Sequence, residues 1–122
     1  LSKELKLWLK VQPTIEYIQA FEGADDGVEF FGGTVNANFV AVVNAQDDSI
    51  DWTEGYSGTL TNAYVLQGNG VGDEAFECDG FNTDFTNASG SFSNPTVTNV
   101  TIKSERFLIA RWYSRYFYKY FN

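Results

Sequence analysis

Three acidic pairs recur along the chain, Asp25-Asp26, Asp47-Asp48 and Asp73-Glu74, and each is followed within a few residues by another carboxylate, Glu29, Asp51 or Glu77. Groups of carboxylates support two kinds of chemistry. As hard oxygen donors they hold Ca²⁺. As a pair at a defined separation, with one pKa raised by an apolar pocket, they hydrolyse glycosides. The first needs only the donors. The second needs a geometry that abundance of carboxylates does not by itself supply. Asp25, Asp26, Asp47, Asp48, Asp51 and Asp73 are therefore the expected ligands of a calcium site, and Ca²⁺ is the one cofactor the residues suggest. The competing reading is a solvated acidic face that keeps a sheet soluble and its neighbours apart. Neither the EF-hand loop nor the glycine-rich nonapeptide calcium repeat occurs.

No catalytic residue is expected. The chain has no His, which removes the usual general base and the commonest transition-metal ligand. Its basic residues are Lys3, Lys6 and Lys10, then Lys103, Arg106, Arg111, Arg115 and Lys119, so none lies between 11 and 102. A lyase acting on an acidic polysaccharide wants a basic group to take a proton or neutralise a uronate, and the middle of the chain offers none. Among the aromatics, Trp52, Tyr56, Tyr64 and Phe81 could stack on sugars. Trp52 falls in the core register, so Tyr56, in the turn EGYSG, is the expected exposed ligand-binding residue. The single cysteine, Cys78, lies between Glu77 and Asp79, which would raise a thiol pKa, and reads as a small buried apolar residue.

The acidic residues must be positioned by something repetitive. DDGVEFFGG at 25–33 and DDSIDWTEG at 47–55 are two copies of one unit, and GDEAFECDG at 72–80 is a third with one extra residue. Each contains an apolar–acidic–apolar triplet: Val28-Glu29-Phe30, Ile50-Asp51-Trp52, Phe76-Glu77-Cys78. Each is preceded by a second strand-like run, and the runs are Ile15–Ala20, Phe39–Ala45, Leu60–Gln67 and Val97–Ile102. Two short strands per 22 to 26 residues, with no helical segment, suit one turn of a β-solenoid. The expected fold is all-β, a right-handed parallel β-helix of about three to four coils with atypical terminal segments. Alternation sends the apolar members of each triplet inward and Glu29, Asp51 and Glu77 to the opposite face. Aligning Thr34-Val35 with Thr59-Leu60 pairs Phe39 with Tyr64 and Val40 with Val65. Glycines 23, 27, 33, 55, 58, 68, 70 and 80 are expected at corners with positive φ, and 81–95 as a longer loop.

Adjacent coils lie about 4.8 Å apart. The acidic pairs should form one column and Glu29, Asp51 and Glu77 a second. Like charges at that distance repel by about 1 kcal/mol per pair in water, and with no Lys or Arg nearby a bridging Ca²⁺ is a physically reasonable counter-charge beside the solvated-face reading.

The motifs DDGVEFFGGTVN, DDSIDWTEGYSG and SNPTVTNVTI resemble a family of secreted or lipoprotein-type right-handed parallel β-helix proteins from Bacteroidetes and marine proteobacteria, mostly uncharacterised. The resemblance covers roughly 14–103. It implies an extracellular or outer-membrane surface location and further β-helix coils in the intact protein. Polysaccharide or cell-surface components are the expected partners. The resemblance carries no catalytic residues.

The expected organisation is an atypical N-terminal segment 1–13, β-helix coils 14–103, and an atypical C-terminal segment 104–122. The last gathers eight aromatics among basic residues. It reads either as a cap or as the product of a frameshift near 103–106, because a shifted frame restores glycine turns and apolar alternation. The chain begins with Leu, which suggests an internal fragment. The net charge of -8 excludes nucleic acid as an expected partner, and no run reaches the roughly 20 apolar residues of a membrane span. The expected function is a non-catalytic acidic surface module, structural or ligand-binding. The alternative is a carbohydrate-active β-helix, polysaccharide-binding or a pectin-lyase-like hydrolase or lyase, whose active coils lie outside this chain.

Overall fold

The computed structural model describes residues 5–7, 12–80, 92–105 and 110–112. Nine strands occur among them: β1 (Leu5–Leu7), β2 (Thr14–Phe21), β3 (Val28–Phe31), β4 (Asn36–Val43), β5 (Ile50–Thr53), β6 (Thr59–Gln67), β7 (Phe76–Cys78), β8 (Thr96–Ser104) and β9 (Ala110–Trp112). Short and long strands alternate along the chain and sort into two sheets, β1-β3-β5-β7-β9 and β2-β4-β6-β8. Every pairing is parallel. Successive strands therefore never pair with each other; each pairs with its counterpart one turn later. That is a parallel β-helix.

The repeated triplets explain the short sheet. Val28 pairs with Ile50 and Ile50 with Phe76, while Phe30 pairs with Trp52 and Trp52 with Cys78. All six are buried, so the expected register holds and Trp52 sits inside, with its ring 5.8 Å from that of Phe76. From the long sheet Ala37, Val40, Val42, Leu60, Ala63 and Val65 close the core from the other side.

The long strands differ from the expected register. Val65 pairs with Val42, and Ala63 with Val40, so β4 and β6 are shifted by two residues from the Val40–Val65 alignment. The ladder pairs Asn38 with Thr61 and Val40 with Ala63, the same step on both sides of one unpaired residue that recurs at the same place in every coil. Tyr17, Phe39, Asn62 and Asn99 each have φ between 55° and 59°, and the ladder skips them. Such a bulge breaks the period of two on which strand alignment depends.

Glycine also acts differently from the expectation at several corners. Gly23, Gly27, Gly58 and Gly68 do not have positive φ. A Cβ on Gly58 would lie 1.8 Å from the Val35 carbonyl oxygen, and one on Gly27 would lie 2.3 Å from Val42 Cγ1. Close approach of neighbouring coils, not handedness of the turn, requires glycine there.

The short sheet reaches into both terminal segments. Leu5–Leu7 pairs with Val28–Phe30, and Ala110–Trp112 pairs with Phe76–Cys78. The loop at 81–91, including Phe81, and most of the expected cap or frameshifted tail lie outside the described residues.

Candidate metal centre

The turn from each long strand to the next short one carries an acidic pair, and backbone hydrogen bonds stack these turns directly. Asp47 N donates to Asp25 O, and Asp73 N to Asp47 O. One side chain in each of the first two turns contributes to the stacking. Asp26 Oδ1 accepts from Asp48 N at 3.0 Å, and Asp48 Oδ1 accepts from Glu74 N at 2.7 Å. An aspartate in one coil thus caps the backbone of the next. Asp26, Asp48 and Glu74 are all buried.

The short strand starts two residues after Asp26 and brings the second column alongside the first. Glu29 pairs with Asp51 and Asp51 with Glu77. Two groups result. Asp25, Asp26 and Asp47 place carboxylate oxygens within 4.8 Å of one another, and so do Asp26, Glu29 and Asp51. Asp26 belongs to both. Asp48 lies beside them through its contact with Asp26, while Asp73 stands outside both groups.

Burial separates the two groups. Asp25 and Asp47 are exposed, whereas Asp26, Glu29 and Asp51 are each at most 8 % accessible. The face opposite the core is therefore not a solvated acidic face at Glu29 and Asp51. Alternation did turn them away from the core, but the neighbouring turn covers them.

Buried carboxylates this close cannot all be charged. Burial, opposed by the hydrogen bond from Asp48 and reinforced by the charges of Asp48, Asp25 and Asp47, lifts Asp26 to about 7. Asp51 is raised further, first by burial and then by Asp26, Glu29 and Glu77, and it shares a hydrogen bond with Glu29. Asp48 is raised chiefly by burial and shares a bond with Glu77. Glu77 is raised chiefly by burial. Asp51 beside Glu29 and Asp48 beside Glu77 are therefore close carboxyl pairs in which burial favours the protonated form of Asp51 and Asp48. Asp51 Oδ1 remains buried without a hydrogen-bond partner.

These residues fit a calcium ion. The donors are all carboxylate oxygens, and Ca–O distances of about 2.3–2.6 Å allow ligands on opposite sides of one ion to stand about 5 Å apart. No His or thiolate takes part that would favour zinc. Cys78 is buried, and both burial and the neighbouring Asp51 and Asp79 push its thiol up.

Tyr56 is not an exposed ligand-binding residue. It is wholly buried, stacks on Phe30 at a centroid distance of 4.4 Å, and its hydroxyl donates to Val35 O at 2.8 Å. Its turn folds inward because Ser93 Oγ accepts from both Gly55 N and Tyr56 N. Trp52 is in the core, and Tyr64 is 40 % exposed on the long sheet.

A family model described as a pectate-lyase-like β-helix domain matches residues 11–108. The chain belongs to that family. No curated protein and no solved structure matches the chain. Within this pectate-lyase-like β-helix domain one of the three buried members of the acidic corner, Glu29, was absent from the expected ligand set. The signal was its place three residues after Asp26, close enough for turn and strand to converge. Among the described residues no helix is long and apolar enough to cross a membrane.

Proposed function

We propose that this β-helix domain is a non-catalytic module of an extracellular or outer-membrane surface protein, and that its acidic corner holds Ca²⁺. Asp26 is the shared ligand, joined by Asp25 and Asp47 on the outer side and by Glu29 and Asp51 on the inner side. One observation carries the reading: Asp51 Oδ1 is buried without a partner in a corner where three carboxylates converge. A cation supplies the charge that no Lys or Arg supplies between 11 and 102. Binding ties two successive turns together, so the ion stabilises the stack on which further coils and polysaccharide or cell-surface partners depend.

The test is thermal unfolding in millimolar Ca²⁺ and in chelator. A ligand present at 100 times its Kd adds about 2.7 kcal/mol to the native state, so the melting temperature should rise in Ca²⁺, and Asp51→Asn should remove most of the rise. Identical curves in calcium and chelator would refute the site.

The alternative, a carbohydrate-active domain, is favoured by one observation. Burial, then the neighbouring Asp26 and Glu29, push the Asp51 carboxyl above the usual carboxylate range, the direction a general acid needs. Release of reducing ends or unsaturated uronates from polygalacturonate, abolished by Asp51→Asn, would support it over the non-catalytic reading.

A further inference from the structure

The large exposed apolar side chains of the described residues are Leu5, Tyr17, Phe21, Phe39 and Tyr64. Four of the five are aromatic and belong to the long sheet, on its outward face. Tyr17 is 77 % exposed, and its ring stacks on that of Phe39 at 5.0 Å with an interplanar angle of 9°. Contact with Phe39 covers one ring face and leaves the rest of Tyr17 to solvent.

The backbone makes this pair unusual. Tyr17 and Phe39 occupy the bulge column with φ of 59° and 55°, the column that Asn62 and Asn99 occupy in the later coils. Asparagine is the side chain that tolerates this region best after glycine, whereas a bulky residue there is an outlier. The later coils show that asparagine suffices for the fold. Two aromatics held in a strained position, pointing into water, contribute nothing to the core. Strain of this kind points outward, to a ligand.

The surroundings define the ligand. Asn62 Nδ2 donates to Asn38 Oδ1 at 2.9 Å, Asn99 Nδ2 donates to Asn62 Oδ1, and Asn38 Nδ2 donates to Glu16 Oε1 at 3.0 Å. Each amide has two N–H groups and two lone pairs, so this ladder fixes the side chains and leaves donors and acceptors facing out. Across β2, β4, β6 and β8 the only charged side chains are Glu16 and Lys103. On a molecule of charge -8 this face is nearly neutral. A polyanion is repelled by the rest of the surface, and a polycation would seek the acidic turns instead. Aromatic rings beside a row of fixed amides match the apolar ring faces and hydroxyl edges of an uncharged sugar chain. We infer that the outer face of the long sheet, centred on the Tyr17–Phe39 stack and the amide ladder, binds a neutral polysaccharide. The site lies on the opposite sheet from the acidic corner and requires no calcium.

Affinity electrophoresis in native gels containing hydroxyethylcellulose, barley β-glucan or galactomannan tests the inference, with polygalacturonate as the anionic control. At least one neutral glycan should retard the wild-type chain several-fold more than polygalacturonate does, equally in Ca²⁺ and in chelator. The double variant Tyr17→Asn, Phe39→Asn should abolish the retardation while keeping the wild-type melting temperature or raising it. Persistence in chelator separates this site from the calcium corner, whose failure would leave the result unchanged. The inference is overturned if no neutral glycan in the panel retards the chain, or if retardation survives in the double variant. A dimer seen by light scattering that the same double variant dissociates would also overturn it, because the face would then belong to a second copy.

Discussion

Tyr56 and Gly58 are one device. The tyrosine ring fills the corner between Phe30 and the turn, its hydroxyl meets Val35 O at 2.8 Å, and the position where Gly58 would carry a Cβ is taken by that carbonyl and by the ring itself. Tyr56→Phe should lower stability by about 1 kcal/mol, the net value of a buried hydrogen bond, and somewhat more because the carbonyl loses a partner. Gly58→Ala should cost about 1–3 kcal/mol or more, since it overpacks the same corner. Urea unfolding of both variants checks the pair. A sequence cannot show this arrangement. EGYSG has every mark of a solvent-facing turn, and only Ser93, placed 37 residues further on, turns its backbone inward.

At the scale of strands, legibility follows pairing. The triplets Val28-Glu29-Phe30, Ile50-Asp51-Trp52 and Phe76-Glu77-Cys78 have no bulge, so alternation alone places them, and they stack as read. The long strands were found at nearly their true positions but aligned two residues out. Tyr17, Phe39, Asn62 and Asn99 interrupt the alternation, and nothing in a Phe or a Tyr announces positive φ. The same blindness hid the aromatic face, because an aromatic within an apolar run reads as core. Two expectations belong here. Trp52→Ala should destabilise by about 3–5 kcal/mol, as truncation of a buried aromatic does, measured by thermal or urea unfolding. Cys78, whose burial and acidic neighbours raise its pKa, should fail to react with a thiol reagent in the native protein and react at once in denaturant.

For the molecule as a whole, the acidic corner sets how stability responds to pH. Asp26 holds its proton more tightly folded than unfolded, with its pKa raised from 3.8 to about 7, mainly by burial. Asp51 is raised as well. The folded state then binds more protons than the unfolded state, so stability falls as pH rises. In chelator the contribution should be complete below pH 3.8 and be lost as pH climbs through about 7, continuing upward through Asp51. Calcium bound at the proposed site would displace those protons, so its stabilising effect should be larger at pH 8 than at pH 5. Melting temperatures at the two pH values, with Ca²⁺ and with chelator, give four numbers that decide this. A rise in stability from pH 5 to pH 8 in chelator would contradict the corner as described. The two acidic columns were legible one at a time. Their convergence on Asp26 was not, because it depends on how sharply the turn leads into β3.

The bulge column has a consequence for how such a chain can change length. Because the skipped residue recurs at the same point of each coil, every turn of the helix resets its own inside–outside phase. A coil can be duplicated or excised as a cassette, and the turns beyond it keep their facing. The spacing between equivalent residues already varies, from 22 to 26 across the acidic turns and to 37 where the chain passes 81–91. Extra residues are absorbed between strands while the ladders continue unshifted. The repeating structural unit of this molecule is therefore the turn, and the column of left-handed residues recurs once in each.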